Sequence, residues 1–155
     1  MDVVCILHNI RSTHNVGAMF RTADGAGVTK IFLTGYTPDP VNRFGFPQKE
    51  IAKAALGAEA SIAWEHPRSV HTLIARLKRD GYTIVALEQH ATSVHYRKAK
   101  VGKKFALIVG KEVTGFDASI LKKADCIVEI PLKGVKESLN VATAFGIGLF
   151  ALAKI

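Results

Sequence analysis

Cys126-Ile127-Val128-Glu129-Ile130 runs into Pro131-Leu132-Lys133-Gly134, and Glu137-Ser138-Leu139-Asn140-Val141-Ala142 follows. A short apolar run ended by proline reads as a strand covered on both faces, of the kind found in parallel sheets. A glycine-bearing loop comes next, and Ser138 is expected to cap a helix that reaches the C-terminal residues, with Asn140 in its first turn. Such a junction brings free backbone N–H groups, a hydroxyl and a carboxamide to one place. It suits a small polar ligand.

The same signature repeats upstream. Val3–Leu7, Lys30–Leu33, Ser61–Trp64, Thr83–Leu87 and Phe105–Val109 read as strands. Between them lie helical patterns at about Asn15–Gly25, Lys49–Ala55 and Ser69–Arg79, with a short one after Phe116. The Ser69 segment carries Val70, Leu73, Ile74 and Leu77 at helical spacing, with Gly81 just beyond its end. Strand and helix alternate throughout, so the fold class is α/β: an open, mostly parallel sheet with helices on both faces. Thr37–Pro47, with its three prolines, is a loop within that unit. We find no repeat and no linker, and the 155 residues are expected to form one domain without an appended RNA-binding domain.

The last helix is unusual. Leu139, Ala142, Gly146, Leu149, Phe150 and Ala153 form one apolar stripe, and Val141, Phe145, Gly148 and Leu152 form another. A helix apolar nearly all round must be covered on more than one side, most simply by the sheet and a twofold mate. Gly146 and Gly148 would let other elements approach closely.

Composition narrows the partners. The net charge is +8, from 21 Lys and Arg against 13 Asp and Glu, which favours a polyanion such as nucleic acid. Six basic residues (Arg97, Lys98, Lys100, Lys103, Lys104, Lys111) and no acid lie between Gln89 and Lys111. This stretch reads as a phosphate track or as a solvated loop, and the overall surplus favours the track. No apolar run is long enough to cross a bilayer and no signal-peptide pattern opens the chain, so no membrane partner and a cytoplasmic setting are expected. Cys5 and Cys126 each sit in an apolar strand and are expected as buried free thiols. The six histidines lack metal-ligand spacing, so no metal is expected.

Ligands of open α/β sheets bind beyond the carboxyl ends of the strands. Three loops there carry chemistry. Asn9 to Ala23 contains Asn15-Val16-Gly17 and Arg21-Thr22-Ala23; Gly110-Lys111-Glu112-Val113-Thr114-Gly115 follows the Phe105 strand; Ile130 to Ala142 is the third. None has a dinucleotide or P-loop fingerprint. On these motifs, in this order, the chain resembles the SpoU/TrmH-type RNA ribose 2′-O-methyltransferases of the SPOUT superfamily, and the resemblance covers essentially all of it.

That resemblance implies a deep C-terminal trefoil knot, a homodimer and S-adenosyl-L-methionine (SAM) as cofactor. By it, Asn15, Arg21, Glu112, Ser138 and Asn140 are the catalytic set, with Arg21 and Asn15 serving the acceptor nucleotide. Leu87, Gly110, Ile130, Leu132 and Leu139 stand where the family contacts SAM. Arg11, Arg97, Lys98, Lys100, Lys103 and Lys104 are assigned to RNA, with transfer RNA favoured over ribosomal RNA. Each has a plainer reading. Asn15 also suits a helix N-cap, Arg21 an ion pair with Asp24, and Glu112 a cap on the helix behind it. The rival functions are a non-catalytic RNA-binding domain of this fold and a knotted methyltransferase acting on a base.

Overall fold

The computed structural model describes residues 1–110 and 116–155. Glu112, together with Lys111 and the rest of 111–115, lies outside the described residues. In chain order the elements are β1 (Asp2–His8), α1 (Thr13–Gly25), β2 (Lys30–Thr34), α2 (Lys49–Ala55), α3 (Ala58–Ser61), β3 (Ala63–Glu65) and α4 (Val70–Arg79). They continue with β4 (Thr83–Leu87), β5 (Val94–His95), β6 (Lys104–Val109), α5 (Ala118–Lys123), β7 (Cys126–Glu129) and α6 (Val141–Ala153). Among the described residues the strands form one sheet in the order β3-β2-β1-β6-β4-β7-β5, with every pairing parallel.

Period-two alternation sorts the strand residues onto two cores. Val3, Cys5 and Leu7 of β1, with Phe105, Leu107 and Val109 of β6, pack under Val16, Met19 and Phe20 of α1 and Phe145, Leu149 and Leu152 of α6. Val4 and Ile6, with Ala106 and Ile108, face the other way and pack under Val70, Leu73, Ile74 and Leu77 of α4 and Ile120 of α5. Both faces are therefore covered, which is why these strands are apolar without alternation. The spacing read for α4 is met, and Ser69 caps it by accepting from the Thr72 N–H at 3.3 Å.

Several boundaries differ from expectation. Helix α1 is capped by Ser12, whose hydroxyl accepts the Asn15 N–H at 3.1 Å, so Asn15 lies inside the first turn and is not the cap. Helix α6 starts at Val141 with Asn140 as its cap, not at Ser138. Asn140 Oδ1 accepts the N–H groups of Ala142 (2.9 Å) and Thr143 (3.2 Å), and Ser138 stays in the exposed loop before it. Ser61 closes the short α3, so the strand expected from Ser61 begins only at Ala63. Cys5 is fully buried and burial pushes its thiol pKa up, whereas Cys126 is only half-buried; both are free thiols.

On α6 the sheet side takes Val141, Phe145, Gly148, Leu149 and Leu152, so Leu149 joins the buried stripe. A Cβ on Gly148 would stand 3.1 Å from Leu87 Cδ2, so its bareness lets α6 lie against the end of β4. Ala142, Gly146 and Phe150 are half-buried on the side toward α1, where a Cβ on Gly146 would stand 3.4 Å from Thr22 Cγ2, and the outer side leaves Thr143 and Ile147 exposed. Helix α1 lies beside α6, and a Cβ on Gly17 of α1 would stand 2.5 Å from the Ile51 carbonyl of α2. Glycine there sets the tight α1–α2 crossing.

Candidate active site at the carboxyl rim of the sheet

Because all strands run in parallel, β4, β6 and β7 end on the same rim. Between their ends and the start of α6 lies a cleft with about 660 Å³ of empty volume, part of it open to solvent. Its walls are Leu87, Glu88 and Gln89 after β4, Val109 and Gly110 after β6, Glu129, Ile130 and Leu132 after β7, and Ser138, Leu139, Val141 and Ala144 at α6. All five residues that the resemblance assigns to the cofactor line this one cleft. Ser138 of the catalytic set lines it too.

The walls are mostly aliphatic, with two carboxylates, Glu88 and Glu129, among them. Glu88 is half-buried; its Oε1 accepts the Gln89 N–H at 3.0 Å and its Oε2 accepts the Phe116 N–H at 3.1 Å. Phe116 in turn lies against Gly110, where a Cβ would overlap the ring, and stacks on His8 with centroids 6.4 Å apart. Gly110 is thus required by the Phe116 ring as well as by the cleft. Sequence reasoning misses Glu88 and Gln89, although they follow Leu87 at a strand end as Gly110 follows Val109.

Two members of the set meet across the fold. Asn140 Nδ2 donates to Asn15 Oδ1 at 3.2 Å, and Asn15 is 6 % exposed. Arg21 stands apart from them. It is exposed, six residues further along α1, about 240° round the helix from Asn15. It lines a separate open groove with His14, Ala18, Thr22, Gly25, Lys53 and Phe150. Among the described residues no ion pair joins it to Asp24, whose Oδ1 instead accepts the Ser61 hydroxyl at 3.1 Å.

The basic stretch is divided between the two ends of the sheet. β5 pairs with the end of β7, so Arg97 and Lys98, both exposed, sit on the rim that holds the cleft. Lys103 and Lys104 stand at the start of β6, the far end of the sheet, ~20 Å away at about 3.3 Å per residue. Lys104 is further occupied: its Nζ is 3.9 Å from Asp2 Oδ2 and 4.5 Å from the Tyr82 ring centroid. Arg11 belongs to the rim, where its guanidinium lies 6.0 Å from the Tyr36 ring centroid. Among the described residues no three His, Cys, Asp or Glu side chains group as metal ligands, and no helix is long and apolar enough to cross a membrane.

A helix-covered parallel sheet with a cleft beyond its carboxyl ends defines an α/β protein that holds a ligand at the rim. Comparison with known proteins narrows this. Residues 2–150 match the model of the SpoU rRNA Methylase family, and the chain belongs to that family. It is 33% identical over 151 residues to the 23S rRNA (guanosine(2553)-2′-O)-methyltransferase RlmP of Bacillus subtilis, covering 96% of this chain and 57% of that one. It is 28% identical over 149 residues to the tRNA (guanosine(18)-2′-O)-methyltransferase of Escherichia coli K12, covering 96% and 62%. The fold superposes on the AdoMet-bound rRNA methyltransferase from Sinorhizobium meliloti with a TM-score of 0.89 and 30% identity, covering 99% of this chain and 56% of that one. The chain therefore spans a little over half the length of these relatives.

Proposed function

We propose that the chain is a SAM-dependent RNA methyltransferase that transfers a methyl group to a ribose 2′-hydroxyl, working as a homodimer with its rim loops in the family's trefoil knot. The observation that carries this reading is the rim cleft: the second and third motifs meet there with the end of β4, Asn140 ties the first motif to them through Asn15, and relatives in the family bear 2′-O-methyltransferase names. The cleft also fits the cofactor chemically. Leu87, Ile130, Leu132 and Leu139 offer apolar walls to an adenine ring and a thioether chain, and Glu88 and Glu129 suit a molecule bearing ammonium and sulfonium charges. When bound, SAM supplies an electrophilic methyl on sulfur.

The chain's own residues then have definable work. Asn140 caps α6 with its oxygen and ties α1 to the cleft with its nitrogen, which holds Asn15 and the Ser138 loop in one pose. Positioning of this sort supplies much of the rate in a displacement between two bound groups. Glu112 keeps the carboxylate role that its motif implies. Arg21 faces away from its own chain's cleft and lies on the open side where α1, α2 and Phe150 of α6 meet. A twofold mate covering that side would bring Arg21 to the acceptor bound across the interface, where a guanidinium clamps a phosphate and polarises the 2′-oxygen. Asn15, Ser138 and Asn140 form the cleft side of the same site.

For the RNA, Arg11, Arg97 and Lys98 provide exposed positive charge along the rim. From β1 to β5 is four strand spacings, ~19 Å, a footprint that a transfer RNA covers. The testing experiment incubates the protein with methyl-labelled SAM and either total tRNA or ribosomal RNA, then digests the RNA to nucleosides. Label in a 2′-O-methyl nucleoside, first in the tRNA arm, is expected. Label on a base would replace the acceptor assignment, and binding of RNA and SAM without transfer would leave the non-catalytic domain as the better reading.

A further inference from the structure

The loop after β2 holds two large aromatic side chains in solvent. Phe44 is 70 % exposed and Phe46 66 %, and Tyr36 at the loop's start is 48 % exposed. Soluble proteins leave single apolar side chains exposed as a matter of course, but not two phenyl rings two residues apart on a rigid turn. This turn is built. Asn42 Oδ1 accepts the N–H groups of Phe44 (2.9 Å) and Phe46 (3.1 Å), and the Asn42 N–H donates to the Phe46 carbonyl at 2.8 Å. Gly45, at φ +81°, takes the left-handed conformation that closes it, and Val41 bridges to Pro47 below. The loop is also moored to the first motif: Asn9 Oδ1 accepts the Tyr36 N–H at 3.1 Å, and Thr37 Oγ1 accepts the Ile10 N–H at 3.0 Å.

Cations accompany the rings. The Arg43 guanidinium carbon lies 4.8 Å from the Phe44 ring centroid, and Arg11 lies over Tyr36. Of the acids in and beside the loop, Asp39 is held by His66 and Glu50 accepts the Thr13 hydroxyl, so both carboxylates are engaged away from the rings. Exposed aromatic faces alternating with arginine, on a rigid turn, fit unpaired nucleobases, which stack on the rings while arginines meet the phosphates. We infer that the Tyr36–Phe46 loop is a stacking platform for single-stranded RNA bases that flank the acceptor nucleotide. The inference rests on the RNA methyltransferase reading above. The loop leaves β2 at the carboxyl rim, three strand spacings from β4 at the cleft, or ~14 Å. One RNA strand thus reaches both.

The test uses the full chain and two fluorescent oligonucleotides, one of uridines and one of the same length with abasic ribose at every position, followed by anisotropy. Wild type should prefer the base-bearing strand. F44A/F46A should lose that preference, with its affinity for the uridine strand lowered roughly 5- to 100-fold, while abasic binding and SAM affinity by calorimetry stay unchanged. A double variant that binds the uridine strand like wild type overturns the platform. Wild type that binds neither strand overturns the RNA reading itself. A change in oligomeric mass for F44A/F46A in light scattering would make the rings a contact between copies of the chain, and would overturn the assignment to RNA.

Discussion

Asn140 and Asn15, 125 positions apart, are joined by one hydrogen bond of 3.2 Å that ties the cap of α6 to the first turn of α1. The same Asn140 side chain satisfies two N–H groups of α6. The two contacts separate by atom: the oxygen caps α6, and the nitrogen reaches Asn15, the partner that the proposed site gives it. Asn140→Asp keeps the accepting oxygen and loses the donor. We expect thermal stability near wild type and a clear fall in methyl transfer. Asn140→Ala should lose both, at ~1 kcal/mol of cap energy and roughly 2–4 °C in Tm. Thermal denaturation beside a transfer assay checks the pair; equal activity in the Asp variant and wild type would confine Asn140 to capping.

Gly110→Ala adds a Cβ where the Phe116 ring lies. The ring must move, and with it the Phe116 N–H that Glu88 accepts. Overpacking of this kind costs about 1–3 kcal/mol. The variant should show that loss in urea denaturation and weaker SAM binding in calorimetry. Unchanged values for both would mean the ring swings away freely.

The two ends of the basic stretch should behave differently. Arg97→Gln with Lys98→Gln, at the cleft rim, should weaken RNA binding and lower the log–log salt slope by roughly 0.7 for each phosphate that the variant no longer neutralises. Lys103→Gln with Lys104→Gln, at the far end of the sheet, should leave the slope nearly unchanged. Binding measured across a salt series decides it, and equal effects from both pairs would restore a continuous track.

Much of this architecture is legible in the sequence, and the parts that are not share a cause. The two cores are legible because β1, β4 and β6 are apolar at every central position, which only helices on both faces permit. Helix α4 is legible because Ser69, four spaced apolar residues and Gly81 agree. The start of α6 is not: Ser138 and Asn140 are both good caps, and what selects Asn140 is Asn15, far away in sequence. Strand β5 is two residues, Val94 and His95, held by pairing to β7 and with no pattern of its own. The strand order arises likewise from long-range pairing. Most cleft residues are within reach of the sequence, since they stand at or just after a strand end, but the separation of Arg21 from them depends on how α1 packs in the fold.

Glu65 joins three elements: Lys30 of β2 at 2.9 Å and Arg76 of α4 at 3.0 Å both meet its carboxylate on β3. The hydrogen bond from Lys30, ahead of that from Arg76, holds its pKa below the usual value of 4.5, and burial opposes the shift in part. A carboxylate lowered by folding adds stability above its unfolded pKa, and that stability is lost as pH falls from about 4.5 through the lowered value. All three side chains keep more than a third of their surface in solvent, so the effect should stay under about 1 kcal/mol. Glu65→Gln should remove that part of the acid limb in denaturation midpoints measured from pH 6 to pH 3. Parallel limbs for variant and wild type would show that the triad adds nothing.

Arg21→Ala separates an enzyme from a binding domain. Arg21 is exposed in the groove beside Phe150 and touches no wall of the cleft, so folding and SAM affinity should stay close to wild type. Methyl transfer should fall by ~10²–10³-fold, the usual cost of removing one positioned transition-state contact. Arg21→Lys should rescue poorly, because an ammonium keeps the charge and loses the planar fork. The proposed dimer adds a sharper expectation. If Arg21 serves the partner's cleft, mixing Arg21→Ala with Asn140→Asp chains forms dimers in which the intact cleft of one meets the intact arginine of the other. Activity of the mixture should then exceed that of either variant alone, with at most one working site per mixed dimer. Co-expression with two affinity tags isolates those dimers for assay. No recovery would mean that Arg21 acts within its own chain, and near wild-type transfer by the Ala variant alone would remove it from the reaction.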